Sequence, residues 1–160
     1  MDKLKERIRR EGRILPGNIV KVDGFLNHRI DTVLLDEIAE EFKKYFDISK
    51  ITMVLTAEAS GIALAMACAS KYGVPMVFAK KAKSDNIEGG LFQSEIMSYT
   101  YKKKVTLLVS KDWLGADDKV LIIDDFMAGG NACNALIDII DQAGAQVVGI
   151  GIGIEKGFQP

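Results

Sequence analysis

Apolar and polar positions along this chain keep two rhythms. From residue 51 onward, short apolar runs of strand length alternate with longer segments whose apolar residues recur every three or four positions. The runs are 51–57 (ITMVLTA), 74–79 (VPMVFA), 119–124 (KVLIID) and 145–155 (AQVVGIGIGIE). The helical segments are 61–73 (GIALAMACASKYG), closed by Gly73, and 132–144 (ACNALIDIIDQAG). Runs that are apolar at consecutive positions are buried on both faces, and strands separated by helices pair in parallel. The pattern therefore predicts an α/β fold, a mainly parallel sheet with helices on both faces. Gly149, Gly151 and Gly153 alternate along the last run, which predicts a strand face bare of side chains and closely approached by a neighbour.

The first fifty residues read less regularly. Residues 2–11 predict a short helix, with Asp2 as its cap, Leu4 and Ile8 on one face and Gly12 at its end. Pro16 forces an irregular connection. Residues 18–28 (NIVKVDGFLNH) start with apolar Ile19 and Val22 and then turn at Gly24. Residues 32–46 predict a strongly amphipathic helix striped by Leu34, Leu35, Ile38, Phe42 and Tyr45. Residues 84–95 (SDNIEGGLFQSE) are polar with paired glycines and predict a mobile excursion. Residues 97–101 and 105–110 predict a hairpin across Lys102–Lys104.

Composition narrows the function classes. At 160 residues the chain is most simply one domain. A net charge of −1 gives no broad basic surface for nucleic acid. No apolar run approaches the roughly 18 residues of a membrane span, and the N-terminus is too charged for a signal peptide. Cys68 and Cys133 have no metal-type spacing and read as free thiols in a reducing cytosol. His28, alone, builds no metal site.

Ligands of open α/β sheets bind beyond the carboxyl ends of the strands. Four polar groups follow the four apolar runs: Glu58–Gly61, Lys80–Lys83, the stretch from Asp124 to Asn131, and Glu155–Lys156. Topology predicts that they converge on one sheet edge. Gly129, Gly130 and Asn131 precede a helix, so backbone N–H groups and the helix dipole can hold a phosphate there, with Asn131 able to cap the helix. The stretch is neither GxxxxGK[ST] nor GxGxxG. Asp124 and Asp125 would repel a phosphate directly; they suit sugar hydroxyls or a divalent cation. Together these groups suggest a ribose phosphate. Ala59–Gly61 offers a second anion site, and Lys80, Lys81 and Lys83 supply positive charge.

The stretch VLIIDDFMAGGNA (120–132) resembles the ribose-diphosphate motif of type I phosphoribosyltransferases: four apolar residues, two acids, then a small glycine-containing loop. KVDGFLNH (21–28), GIALAMA (61–67), GVPMVFAKK (73–81) and QAGAQVVGIGIGIEKGFQP (142–160) are similar to the xanthine-using branch of that family in bacterial purine salvage. The resemblance implies a single phosphoribosyltransferase domain over 1–160. Residues 1–30 would contribute to a hood over the base, and residues 84–96 would form a flexible closing loop. It implies transfer of a phosphoribosyl group to a 6-oxopurine, xanthine foremost, in a cytoplasmic homodimer that binds neither nucleic acid nor membrane. Hypoxanthine, guanine or adenine as the base, or a non-catalytic sensor of the same fold, stay open.

The resemblance also implies roles. Asp124 and Asp125 would grip the ribosyl hydroxyls and, with Lys80, form the catalytic set. Ala128, Gly129, Gly130, Asn131 and Ala132 would wrap the 5-phosphate. Glu58, Ala59, Ser60 and Gly61 with Lys81 would face the diphosphate and its Mg²⁺, which the substrate itself would mainly hold. Val20, Asn27 and Lys156 would meet the purine. Position 132 is Ala, where the family loop commonly ends in Thr. Family members continue past the position of Pro160, so this is either a shortened form or one whose tail is absent here. Lys156 has only donors and suits a 6-oxo group, while Asn27 has both a donor and an acceptor end and cannot choose between xanthine and guanine.

Overall fold

Local sequence rules account for most of the elements in the computed structural model, which describes residues 1–17, 19–81, 89–98 and 103–156. In chain order they are α1 (Asp2–Glu11), β1 (Arg13–Leu15), β2 (Ile19–Lys21), α2 (Thr32–Phe42), β3 (Met53–Ala57), α3 (Ile62–Tyr72), β4 (Met76–Ala79), β5 (Leu91–Ser98), β6 (Lys103–Ser110), β7 (Lys119–Met127), α4 (Asn131–Gln142) and β8 (Gln146–Glu155). A π-helical turn, Asp23–Asn27, follows β2. The Asp31 side chain accepts from the Leu34 N–H at 3.1 Å and starts α2. Gly73 ends α3 with φ +71°, a left-handed conformation that glycine adopts without steric penalty.

β4, β3, β7 and β8 form one parallel sheet in that order. Its central strands are buried on both faces, and alternate residues enter two separate cores. Val54, Leu121 and Ile123 pack with α2, α3 and the π-helical turn. Leu55, Val120 and Ile122 pack with α4 and the β6 residues Leu107 and Val109. The sequence expectation of a mainly parallel sheet covered on both faces is met. The hairpin β5–β6 joins this layer through reciprocal backbone bonds between Lys80 and Leu108, 2.9 and 2.8 Å.

Strand pairing is uneven at the carboxyl edge, and that unevenness positions the site. β3 pairs with β7 only as far as Leu55↔Ile122, whereas β7 stays paired with β8 to Met127↔Glu155. β3 meanwhile follows β4 to Ala57↔Ala79. The chain leaves β3 toward one side of the sheet and β7 toward the other. The crevice between them is therefore the switch point where α/β sheets take ligands.

Several expectations are corrected. Asp2 lies inside α1 and does not cap it; Met1 holds that position with no side-chain bond. α2 stops at Phe42, so Tyr45 falls off the stripe and is 68% exposed. Pro16 sits in the turn of a small antiparallel hairpin, β1–β2, which three-residue strands barely signal. Leu91–Glu95 of the expected excursion form a regular ladder with Thr106–Ser110. That pairing is non-local and so leaves no mark in a window of sequence. Residues 84–88 of the excursion, and Lys83, lie outside the described residues, as do 99–102 of the hairpin turn. β7 runs to Met127, so Asp124 and Asp125 sit within a strand whose pairing β8 prolongs, not after it.

The bare face of β8 is occupied as expected. A Cβ on Gly149 would lie 2.6 Å from two ring atoms of Phe46 and 3.1 Å from Leu121 Cδ1. Gly149→Val should therefore destabilise the chain by about 1–3 kcal/mol through overpacking. Urea unfolding checks this; a midpoint unchanged from wild type would mean that Phe46 moves aside freely.

Candidate functional site

Everything at the crevice follows from where β3 and β7 part. β3 ends in a tight turn with a cis peptide between Glu58 and Ala59, and Gly61 then leads into α3. A Cβ on Gly61 would fall 2.3 Å from Thr56 Oγ1 and 2.6 Å from Asp124 Oδ1. Only glycine lets this turn close against β7. The Glu58 carboxylate accepts the Lys81 N–H at 2.6 Å, which ties the ends of β3 and β4 together.

β7 delivers two carboxylates in different settings. Asp125 is 1% exposed. One of its oxygens accepts from Asn27 Nδ2 at 3.0 Å and the other from Ser60 Oγ at 2.9 Å. Asp124 is half-buried and accepts the Asp125 N–H at 2.9 Å. Burial, and after it the adjacent negative charge of Asp125, push the Asp124 carboxyl up from 3.8 to about 7, against the opposing pull of Lys81.

After β7, Ala128 and Gly129 are exposed, and Gly130 caps α4 with φ +73°. Asn131 is the first helical residue and not the cap. Its amide instead donates to the Met97 carbonyl of β5 at 3.4 Å. α3 and α4 both begin at the carboxyl edge of the sheet, so two helix N-termini, with their unpaired N–H groups, open there. A cavity of about 440 Å³ is lined by Asp124, Phe126, Lys81 and the loop from Ala128 to Ala132. A smaller one of about 170 Å³ is lined by Glu58, Ser60, Lys81, Asp124, Asp125 and Phe126. The larger volume lies within the range usual for small-molecule sites. A cavity of about 470 Å³ between α1 and α2 lies away from this edge, and its charged side chains are largely paired with one another.

Most of the residues singled out from the sequence meet here. Lys156 lines neither cavity but lies beside them: its N–H donates to the Met127 carbonyl at 3.1 Å, and its Nζ lies 5.4 Å from the centre of the Phe126 ring. Lys80 is placed by its backbone bridge to Leu108, and Lys81 lines both cavities. Val20 is half-buried against the α2–α3 core and lines neither cavity. Sequence reasoning passed over Phe126, although an aromatic directly after the paired acids, where the cavity begins, was a usable signal. It also missed Thr56, whose hydroxyl is buried without a partner beside Gly61.

Comparison with known proteins identifies the family and the fold. The sequence profile of the phosphoribosyl transferase domain matches residues 27–159. A xanthine phosphoribosyltransferase of Lachnoclostridium phytofermentans is 54% identical over 159 residues, covering 99% of this chain and 82% of that protein. One from Clostridium novyi is 49% identical, covering 99% and 84%. Among solved structures, adenine phosphoribosyltransferase from Saccharomyces cerevisiae superposes with a TM-score of 0.79 at 19% identity, covering 99% of this chain and 92% of that one. The Giardia lamblia enzyme gives 0.77 at 21%, covering 96% and 97%. At such identities these structures share the fold.

The state of Asp124 gives a pH test. An acid whose folded pKa is raised binds a proton in the native state between its unfolded value and about 7, so its contribution to stability falls as pH rises through that window. Asp124→Asn removes the charge. It should leave stability nearly unchanged at pH 4 and raise it by about 1–2 kcal/mol at pH 8, partial exposure screening the full shift. Chemical unfolding of both proteins across that range checks the sign.

Proposed function

The chain belongs to the phosphoribosyl transferase family, and from that premise we propose that it transfers the phosphoribosyl group of 5-phosphoribosyl 1-diphosphate to a 6-oxopurine, xanthine foremost, releasing diphosphate. The carrying observation is the crevice between β3 and β7, where two acids, a small-residue loop and two helix N-termini share one edge. Relatives named xanthine phosphoribosyltransferase, at 49% and 54% identity over almost the whole chain, support the choice of base.

In this reading the loop Ala128–Ala132 holds the 5-phosphate with backbone N–H groups, so Ala at 132 loses only a hydroxyl donor. Asp124 accepts from the ribosyl hydroxyls, with Asp125 behind it. Glu58–Gly61, Lys80 and Lys81 face the diphosphate. Among the described residues no three His, Cys, Asp or Glu side chains cluster to bind a metal. Mg²⁺ would enter as part of the diphosphate substrate and would neutralise charge on the leaving group. The reaction breaks the bond from ribosyl carbon to diphosphate oxygen and forms one to a purine nitrogen, through a state resembling an oxocarbenium ion. No protein nucleophile is called for. Holding the two reactants in line lowers the barrier by about 7–11 kcal/mol, and the lysines stabilise the departing diphosphate.

Lys156 donates to the 6-oxo group, and a 6-amino group there would set donor against donor. Val20 and Asn27 contribute from the base-binding hood to which residues 1–30 belong. A single catalytic domain, a homodimer and a cytoplasmic location complete the proposal. Exposed apolar side chains such as Met66 and Trp113 support self-association, and two unpaired cysteines suit a reducing compartment. No helix among the described residues is long and apolar enough to cross a membrane.

Diphosphate release should require both Mg²⁺ and a purine. Xanthine should be used best and adenine up to about 10⁴-fold less well. Measuring release with xanthine, hypoxanthine, guanine and adenine side by side tests this; tight phosphoribosyl diphosphate binding without turnover would leave the chain a sensor. Lys156→Met should raise the purine KM by about tenfold while changing the phosphoribosyl diphosphate KM little. Equal changes in both would remove Lys156 from the base site.

A further inference from the structure

Asp125 occupies an unusual position for a member of a ligand-binding acid pair. It is 1% exposed, and each carboxylate oxygen is met by a neutral side-chain donor from a different part of the chain. Asn27 lies 98 residues away and Ser60 lies 65 residues away. Asn27 ends the π-helical turn whose Phe25 and Leu26 are each 1% exposed, so its backbone is anchored in the core and its side chain reaches across to β7. Ser60 sits in the exposed turn between the cis peptide and Gly61.

We propose that Asp125 is a positioning residue that links the purine side of the site to its diphosphate side, by holding Asn27 with one carboxylate oxygen and Ser60 with the other. This rests on the reading of the site given under Proposed function and deepens it. The chemistry of the three groups makes the link directional. Both carboxylate oxygens accept, so Asp125 holds the nitrogen end of the Asn27 amide and leaves its carbonyl oxygen for the purine side. It also takes the one hydroxyl hydrogen of Ser60, leaving that oxygen's lone pairs and the loop's backbone N–H groups for the diphosphate and its cation. Two donors from separate segments meet one buried carboxylate, so each bond constrains the orientation in which the other is made. The Ser60 bond fixes the plane of the Asp125 carboxylate, so a ligand that draws Ser60 away, like loss of its hydroxyl, frees that carboxylate to turn and loosens its hold on Asn27. The two subsites are coupled through one buried side chain.

The test reads the purine side after a change on the diphosphate side. Ser60 is exposed, so Ser60→Ala is compatible with folding, and thermal melting confirms it. In the otherwise wild-type chain, Ser60→Ala should raise the KM for xanthine by about fivefold. In an Asn27→Ala background the same change should raise it by less than about twofold, because the linked partner is gone. Ser60→Thr, which keeps the hydroxyl, should restore the wild-type value. An equal fold-change in both backgrounds, or an effect confined to the KM for phosphoribosyl diphosphate, overturns the proposal. A second measurement needs no turnover: the Asn27 side-chain amide resonances of the ligand-free chain should shift in Ser60→Ala and return in Ser60→Thr, and resonances that stay in place overturn it. Failure of all four bases to react in the wild-type protein would sink the transferase reading, while the resonances would still decide the link.

Discussion

β7 must bury both of its faces, and the rest of the architecture is arranged around that demand. Its residues from Val120 to Ile123 are fully enclosed, alternate ones feeding the two cores on either side of the sheet. A strand so placed cannot carry a charge until one neighbour leaves. β3 leaves at the level of Ile122; the buried Ile123 follows, and the two residues of β7 after it are the acids. The carboxylates thus appear just past the level where β3 parts from β7, and the crevice they face is made by the same parting of strands. β8 stays paired, which keeps Asp124 and Asp125 in extended backbone and brings Lys156 alongside Met127.

Local rules of stability are broken at that opening and kept almost everywhere else. A carboxyl is desolvated beside a second carboxyl, a threonine hydroxyl is buried without a partner, and two side-chain oxygens fill the space a Cβ on Gly61 would need. Such clustering of conflicts marks a site whose residues serve a ligand rather than the fold. The surface of α1 and α2 shows the opposite economy. Its carboxylates, Asp31, Glu40 and Glu41, are held below their ordinary range by hydrogen bonds and by neighbouring basic groups, chiefly the Leu34 N–H, Lys71 and Lys44 respectively.

In the proposed reading, fold and base choice fall to different parts of the chain. The sheet and its flanking helices superpose on adenine-using enzymes at 19% and 21% identity, so the scaffold does not depend on which purine is bound. The proposed purine contacts, Asn27 and Lys156, come instead from the hood and from the end of β8, at opposite ends of the described sequence. Asn27 is nonetheless fastened to the sugar side through Asp125. On the proposed roles, a change of base acts on a few side chains and leaves the loop Ala128–Ala132 and the sheet as they are.

The sequence alone determined the parallel sheet, three of the four helices nearly to their ends, and the grouping of the polar segments at one edge. Each of these rests on periodicity within a single element or on the handed connection between neighbours, which a short window of chain contains. α2 was legible as far as Phe42, but the stripe read on to Tyr45 because periodicity does not mark where a helix stops. The ladder of Leu91–Ser98 with β6, the extension of β7 through its acids, and the bonding of Asp125 to Asn27 and Ser60 were decided only by the tertiary structure. Each depends on a partner far away in sequence, and hydrogen bonds across such distances follow from how strands are aligned and where they part. Composition and spacing could place two carboxylates at the edge; only the packed sheet could turn one toward the cavity and commit the other to the protein.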